Sequence, residues 1–436
     1  MSVLKTNLNF NLEQFFTQAL AKKRDEGSLR QLWQVDRSAF PLCKITTEDG
    51  TKYKAISFAC NDYLGLSINK KVKAAVAKAS KKYGVGSGGS KFIGGYNELC
   101  RKLESDIAAF KGLQDCILFS SGYLANLGIF ASIFNENDTI FADKQIHASI
   151  IDGINLSRAK LVRYSHLNHS HLIQLLEKHA SSNKAEGKIC IATEAVFSMS
   201  GGVDNISALL DIAKKYNAIL IVDEAHSFGV LQNTIYKHYD YFIRVGTLSK
   251  AAGLCGGYVC CSNLLALYIK NYARSGIYNT SLPPNIIAGA CEAVKIISQK
   301  TSSANSPAVL MAQYFCKKMS EQIGGQIGGT FKADITSHSA IVALNLDNCI
   351  KTYTGGKQDG KGGNDVGEVL IDNPALPQNF YKNLSLYLLQ NGYFARAILP
   401  PTVQKPILRL TFSSLHTEKQ VDALCVLIAN FAKFFC

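Results

Sequence analysis

Between Phe58 and about Gln299 short apolar runs alternate with longer segments of helical spacing, and this constrains the fold of the chain more than any other feature. The runs are Asp115-Cys-Ile-Leu-Phe119, Thr139-Ile-Phe141, Lys188-Ile-Cys-Ile-Ala192, Ala218-Ile-Leu-Ile-Val222 and Tyr241-Phe-Ile-Arg-Val245. A run that is apolar at nearly every position suits a strand buried on both faces. Helices between such strands predict an α/β fold with a mostly parallel central sheet covered on both sides. From Ser302 onward a helix, strands around Ser339–Leu344 and Ile407–Thr411, and a terminal helix predict a smaller α+β carboxyl-terminal domain. The expected organisation is thus residues 1–57 as a helical segment and irregular lead-in, 58–300 as the large domain and 301–436 as the small one. The Gly- and charge-rich stretch Thr354–Asp365 reads as a mobile surface loop within the small domain.

Two of the runs end in residues that carry chemistry. Ala218–Val222 stops abruptly at Asp223, and a carboxylate at the carboxyl end of a buried strand lies where open α/β sheets bind ligands. His226 follows in the next turn. Tyr241–Val245 then delivers Thr247, Ser249 and Lys250 to the same rim, in Gly246-Thr-Leu-Ser-Lys-Ala-Ala-Gly253. Singly, these residues fit an N-capping Asp, a core His and a solvated Lys. In this order after two strands they point to pyridoxal phosphate (PLP), which needs an amine for a Schiff base, a carboxylate for its ring nitrogen and donors for its phosphate.

The charge of +14 favours anionic partners, but the 47 Lys and Arg are spread along the chain with no dense basic block, which argues against nucleic acid. A phosphate-bearing cofactor and an acyl carrier such as coenzyme A suit the same field. Thirteen cysteines, an odd number without a Cys-x-x-Cys pair, do not form a disulfide framework and suggest a reducing cytoplasm. No stretch approaches the roughly 20 apolar residues of a membrane span, and Met1–Leu20 lacks the apolar core of a signal peptide.

Gly84-Val-Gly-Ser-Gly-Gly89 matches the dinucleotide fingerprint by letter but follows a helical stretch, not a strand, so a nicotinamide cofactor is disfavoured. Ser120-Ser-Gly-Tyr123 opens a helix expected over Leu124–Ile133, where backbone N–H groups favour a phosphate; an ordinary helix entry is the alternative. His147 follows another short strand and is placed to lie on a planar cofactor, although a lone His is more often structural. His166, His169 and His171 fit no common zinc spacing and have no carboxylate nearby in sequence, so no metal is expected.

Asn61-Asp-Tyr-Leu-Gly65, Ser87-Gly-Gly-Ser90, Ser121-Gly-Tyr123, His147-Ala-Ser149, Thr193–Met199, Asp223-Glu-Ala-His226 and Gly246–Lys250 together resemble the α-oxoamine synthases, PLP enzymes of fold type I, the aspartate aminotransferase class. The resemblance runs from about Leu29 to the carboxyl terminus. It implies decarboxylative condensation of an amino acid with an acyl-CoA or acyl carrier protein thioester. Ala397-Ile-Leu-Pro-Pro-Thr-Val403 is similar to the signature of the biotin-pathway branch, which joins L-alanine to a pimeloyl thioester. By resemblance Lys250 would form the Schiff base, Asp223 would pair with the ring nitrogen, and His147 would stack on the ring. His226 and Ser198 would lie near the phenolic oxygen. Thr247 with the backbone of Gly122 and Tyr123 would hold the phosphate, which the partner subunit's Thr280 would also reach. Arg409 and Asn61 would grip the amino acid's carboxylate, and Arg30 and Thr402 would contact the acyl substrate. A homodimer with shared sites is implied. Branches using glycine or serine, and a non-catalytic partner subunit, remain as alternatives; the latter would be expected to lack Lys250. The chain departs from the family pattern in a short turn at Leu231–Tyr236, in Ser200 for Asp, in Leu399 for the biotin branch's Arg, in Cys100 for His and in an insertion near Thr354.

Overall fold

The computed structural model describes residues 11–26, 28–182, 187–301, 304–326, 337–346 and 377–433; the Gly-rich stretch Thr354–Asp365 lies outside them. Seven strands form the central sheet: β4 (Asp115–Phe119), β5 (Thr139–Asp143), β6 (Lys160–Tyr164), β7 (Ile189–Glu194), β8 (Ile219–Asp223), β9 (Phe242–Thr247) and β10 (Gly257–Cys261). Their order is β4-β10-β9-β8-β7-β5-β6. All neighbours are parallel except β10, which runs antiparallel to both β4 and β9.

Both faces of this sheet are buried, and the alternation of side chains along each strand decides which layer each residue joins. In β4 and β10, Cys116, Leu118, Tyr258 and Cys260 pack with the helices Glu98–Lys111 and Pro284–Thr301. Ile117, Phe119, Val259 and Cys261 face the other way, towards the helices Gly122–Ile133, Ala148–Ser157 and Asn263–Tyr272.

The carboxyl-terminal part holds a three-stranded antiparallel sheet of order β11-β14-β13, from β11 (Ile341–Leu344), β13 (Arg396–Ile398) and β14 (Ile407–Thr411). Its core includes Phe315, Leu384, Leu410 and Ile428, supplied by β14 and by the helices Pro307–Gln326, Pro377–Gln390 and Glu418–Lys433.

The lead-in before Phe58 is not irregular. After the helix Leu12–Asp25, residues Gln34–Ala39 (β1), Leu42–Thr46 (β2) and Lys52–Ser57 (β3) form an antiparallel meander, which β12 (Tyr393–Phe394) extends by pairing parallel to β3. These strands are half polar, with Cys43, Ile45 and Ala55 alternating inward between lysines and threonines. The pattern is that of a sheet with one solvated face, and it lacks the continuous apolar signal of the central strands.

The turn Leu231–Tyr236 docks closely: Gln232 N donates to Asn305 Oδ1 at 2.7 Å and Asn233 N to Thr301 O at 2.8 Å. Beneath it Arg244 Nε donates to Glu224 Oε1 at 2.8 Å and Lys111 Nζ lies 2.7 Å from Glu224 Oε2, all three groups being buried. Glu224, next to Asp223 in sequence, thereby fixes β8 and β9 to the Glu98–Lys111 helix.

Candidate active site

The parallel strands β7, β8 and β9 end side by side, with Glu194 opposite Asp223 and Asp223 opposite Val245. Asp223 is buried, and both carboxylate oxygens have donors: Asn126 Nδ2 at 2.7 Å on Oδ2 and Ala225 N at 2.8 Å on Oδ1. Asn126 projects from the Gly122–Ile133 helix, one turn after Gly122, and its amide also donates to Ser149 Oγ at 2.9 Å. Ser149 Oγ lies 2.7 Å from His147 Nδ1, and the Ser149 backbone N–H donates to the same nitrogen at 3.2 Å. His147 is therefore the N-cap of the Ala148–Ser157 helix, with its ring as the capping acceptor. Burial lowers its pKa, partly offset by the charge of Asp223.

Lys250 follows β9 and places Nζ 2.8 Å from His226 Nε2. Burial lowers the Lys250 pKa, against the opposing charges of Asp223 and Glu194. His226 is buried and its pKa falls well below the ordinary value, first through burial and then through Lys250, Arg409 and His147. Its Nδ1 lies 2.6 Å from Tyr63 Oη, and Tyr63 Oη donates to Asn61 Oδ1 at 3.2 Å. Arg409, from β14, donates Nη2 to the same Asn61 oxygen at 3.2 Å and Nε to the Ser198 carbonyl at 2.7 Å. Beside them, Glu194 is buried with its carboxyl pKa raised well above normal, by burial and by Asp223. Its Oε2 accepts from Ser198 N at 3.3 Å, and Oε1 has no hydrogen-bond partner among the described residues.

At the amino end of the Gly122 helix, a Cβ on Gly122 would stand 3.3 Å from Thr247 Cβ, so β9 and the helix entry nearly touch. Thr247 Oγ1 lies 2.8 Å from Ser249 Oγ and donates to Gly256 O at 2.9 Å. The helix begins at Gly122, two residues before the expected start, with Ser121 as N-cap. Tyr123 hydrogen-bonds Asp152 and meets the His147 ring edge-on at 6.4 Å. Within the same chain the Thr280 carbonyl accepts from Ser120 Oγ at 2.9 Å, beside this entry.

The structure thus brings Asn61, His147, Ser198, Asp223, His226, Lys250 and Arg409 into one connected cluster, with Gly122, Tyr123 and Thr247 at its rim. Arg30 and Thr402 are exposed, and no hydrogen bond among the described residues joins either to the cluster. The histidine segment corrects the expectation of missing carboxylates. His166 Nδ1 lies 2.9 Å from Asp143 Oδ1 and His169 Nε2 2.7 Å from Asp204 Oδ1, both carboxylates arriving from distant sequence. No group of three metal ligands occurs among the described residues.

Asn126, Ser149, Tyr63 and Glu194 escaped assignment from sequence. A signal existed for two of them: Asn126 is a polar interruption in an apolar helix, and Glu194 ends β7 as Asp223 ends β8.

These residues fit PLP. They supply a half-buried amine, a carboxylate held by two N–H groups and a helix entry that glycine keeps open for phosphate. The chain matches the aminotransferase class I and II family over residues 53–428 and belongs to it, so fold and site define a PLP-dependent transferase of fold type I. A structure of SPT with PLP superimposes with a TM-score of 0.77, at 23% identity and covering 98% of this chain and 99% of that one. Within the family the chain is an α-oxoamine synthase. The 8-amino-7-oxononanoate synthase of Lysinibacillus sphaericus is 35% identical over 389 residues, 87% of this chain and 89% of that protein. The crystal structure of the 8-amino-7-oxononanoate synthase from Francisella tularensis is 31% identical, with a TM-score of 0.64 and coverage of 87% and 98%.

Proposed function

We propose that this α-oxoamine synthase joins L-alanine to the pimeloyl group of pimeloyl-CoA or a pimeloyl carrier protein, giving 8-amino-7-oxononanoate, the free thiol and carbon dioxide. The observation that carries this reading is the connection of a half-buried amine, Lys250, through His226, Tyr63 and Asn61 to a buried guanidinium, Arg409. An amino acid presents an amino group and a carboxylate to such a site, and Arg with an amide neighbour suits the carboxylate. The names of the relatives and Pro400-Pro-Thr-Val403 favour alanine and the pimeloyl chain.

In this reading Lys250 would hold the cofactor. Its Nζ, whose pKa burial lowers, would then take the proton from Cα. PLP supplies the electron sink for the pair left on that carbon. Asp223, fixed by Asn126 and Ala225, pairs with the ring nitrogen. His147 would cover the ring, and His226 and Ser198 would lie near its phenolic oxygen. Thr247 with the backbone of Gly122 and Tyr123 holds the phosphate. Arg409 and Asn61 orient the substrate carboxylate, which leaves as carbon dioxide after the new carbon–carbon bond has formed and the thiol has departed. Arg30 and Thr402 reach the acyl group from the surface segments where they lie.

A homodimer completes the site, with the partner subunit's Thr280 on the phosphate. The exposed apolar side chains of Phe92, Ile93 and Tyr278 support such an interface. A reducing cytoplasmic setting agrees with the free state of every described cysteine.

Thiol release by the PLP-loaded protein tests the assignment, with L-alanine, glycine and L-serine each offered against pimeloyl-CoA and longer acyl-CoAs. Release with L-alanine and pimeloyl-CoA, lost in Lys250→Ala, is expected. Preference for glycine or serine, or for a longer chain, overturns the substrate assignment and keeps the chemistry.

A further inference from the structure

Two arginines stand side by side on one face of the carboxyl-terminal sheet. Arg396 of β13 is paired directly with Arg409 of β14. Opposite residues of an antiparallel pair project from the same face, with Cβ atoms about 5 Å apart. The adjoining pair, Ala397 and Leu408, points the other way and packs in the carboxyl-terminal core, so both arginines lie on the face turned from that core. Like charges placed directly opposite each other destabilise a sheet. Neither arginine has a carboxylate partner among the described residues. Arg409 donates to Asn61 Oδ1 and to the Ser198 carbonyl, and Arg396 Cζ lies over the Trp33 ring, 4.3 Å from its centre.

The contact between Arg396 and Trp33 joins the two segments expected at the acyl substrate. Trp33 follows Arg30 by three residues, and β13 leads through Leu399 into Pro400-Pro-Thr402. On the arginine face the next opposed pair is Ile398 and Ile407, both half-buried, which sets an apolar strip beside the two cations. We propose that Arg396, seated on Trp33, is the specificity-determining residue that binds the distal carboxylate of the acyl chain while Arg409 binds the carboxylate of the amino acid. The proposal rests on the reading of the acyl donor as a pimeloyl thioester. Once the amino acid is joined to that chain, eight carbon–carbon bonds separate the two carboxyl carbons, roughly 9 Å at the spacing of an extended chain. Arginines that start about 5 Å apart and reach different partners suit two carboxylates at that separation. A guanidinium held over an aromatic face keeps its N–H edges for carboxylate oxygens, and the bound anions would offset the repulsion between the two cations.

The test compares thiol release by the PLP-loaded protein from pimeloyl-CoA and from heptanoyl-CoA, with L-alanine as the amino acid. The two donors share chain length and CoA and differ in the distal carboxylate alone. The quantity read is the ratio of their kcat/KM values in the wild type, in Arg396→Gln and in Arg396→Lys. The expected result is a wild-type ratio well above one that falls about tenfold or more in Arg396→Gln, through the KM for pimeloyl-CoA. Partial recovery is expected in Arg396→Lys, which keeps the charge without the fork. A ratio unchanged in Arg396→Gln overturns the proposal and leaves the pimeloyl reading standing; a lost CoA contact or a smaller folded fraction would affect both donors alike and give that same result. If Arg396→Gln does not fold, Trp33→Leu, which removes the seat of the guanidinium, is measured in its place. A wild-type ratio near one overturns the pimeloyl reading itself, before any variant is compared.

Discussion

Asn126 holds the site together through a single amide nitrogen. Its Nδ2 bonds the carboxylate of Asp223 and the hydroxyl of Ser149, and Ser149 in turn fixes the His147 ring. Truncation in Asn126→Ala strands two buried groups, and a lost bond to a charged acceptor costs about 1.5–3 kcal/mol. PLP affinity should fall about tenfold or more as Asp223 loses its orientation. Titration of the PLP-free protein with PLP, followed by absorbance, reads this directly; wild-type affinity in Asn126→Ala would show that Asp223 needs no such support.

At the element scale, β10 meets the start of the Gly122 helix at close quarters. A Cβ on Gly257 would fall 2.4 Å from the Ser121 carbonyl carbon and 2.5 Å from Gly122 N. β10 cannot retreat, because Gly257 is paired with Phe119 on one side and Thr247 on the other. In Gly257→Ala the helix entry has to move away from Thr247, at a cost of about 1–3 kcal/mol for overpacking. The expected outcome is a folded protein, by circular dichroism, with weakened binding of PLP and of inorganic phosphate as a competitor. Unchanged PLP affinity would mean that the helix entry is not the phosphate site.

Across the whole molecule the amino-terminal strands and the carboxyl-terminal segment meet at His416. Its Nδ1 accepts from Ser413 N at 3.1 Å and its Nε2 donates to Ser57 O at 3.0 Å, while its ring stacks on Phe58 at 4.1 Å. Protonation would set an N–H against the Ser413 N–H, and burial accordingly pulls the pKa down to about 4. The unfolded chain takes up this proton near pH 6.5 and the folded chain only near the lower value. Stability from this group is thus complete above pH 6.5 and declines as the pH falls towards about 4, by roughly 3 kcal/mol in all. Urea denaturation between pH 7 and 4 should show a shallower loss in His416→Gln than in the wild type; parallel curves would remove His416 from the acid response.

The sequence by itself determined five of the seven strands of the central sheet, since β4, β5, β7, β8 and β9 are mostly apolar runs buried on both faces, while β6 and β10 left no such run. It also marked Asp223, His226 and Lys250, because each interrupts or follows such a run. The amino-terminal meander gave only alternating small apolar residues, a weaker pattern that β12 completes from more than 330 residues away in sequence. The polarity of the site depended on tertiary contacts still more. Tyr63 meets His226 across 163 positions and Arg409 meets Asn61 across 348. No local pattern of residues encodes those meetings, because a hydrogen bond depends on the partner that the folded chain brings within reach.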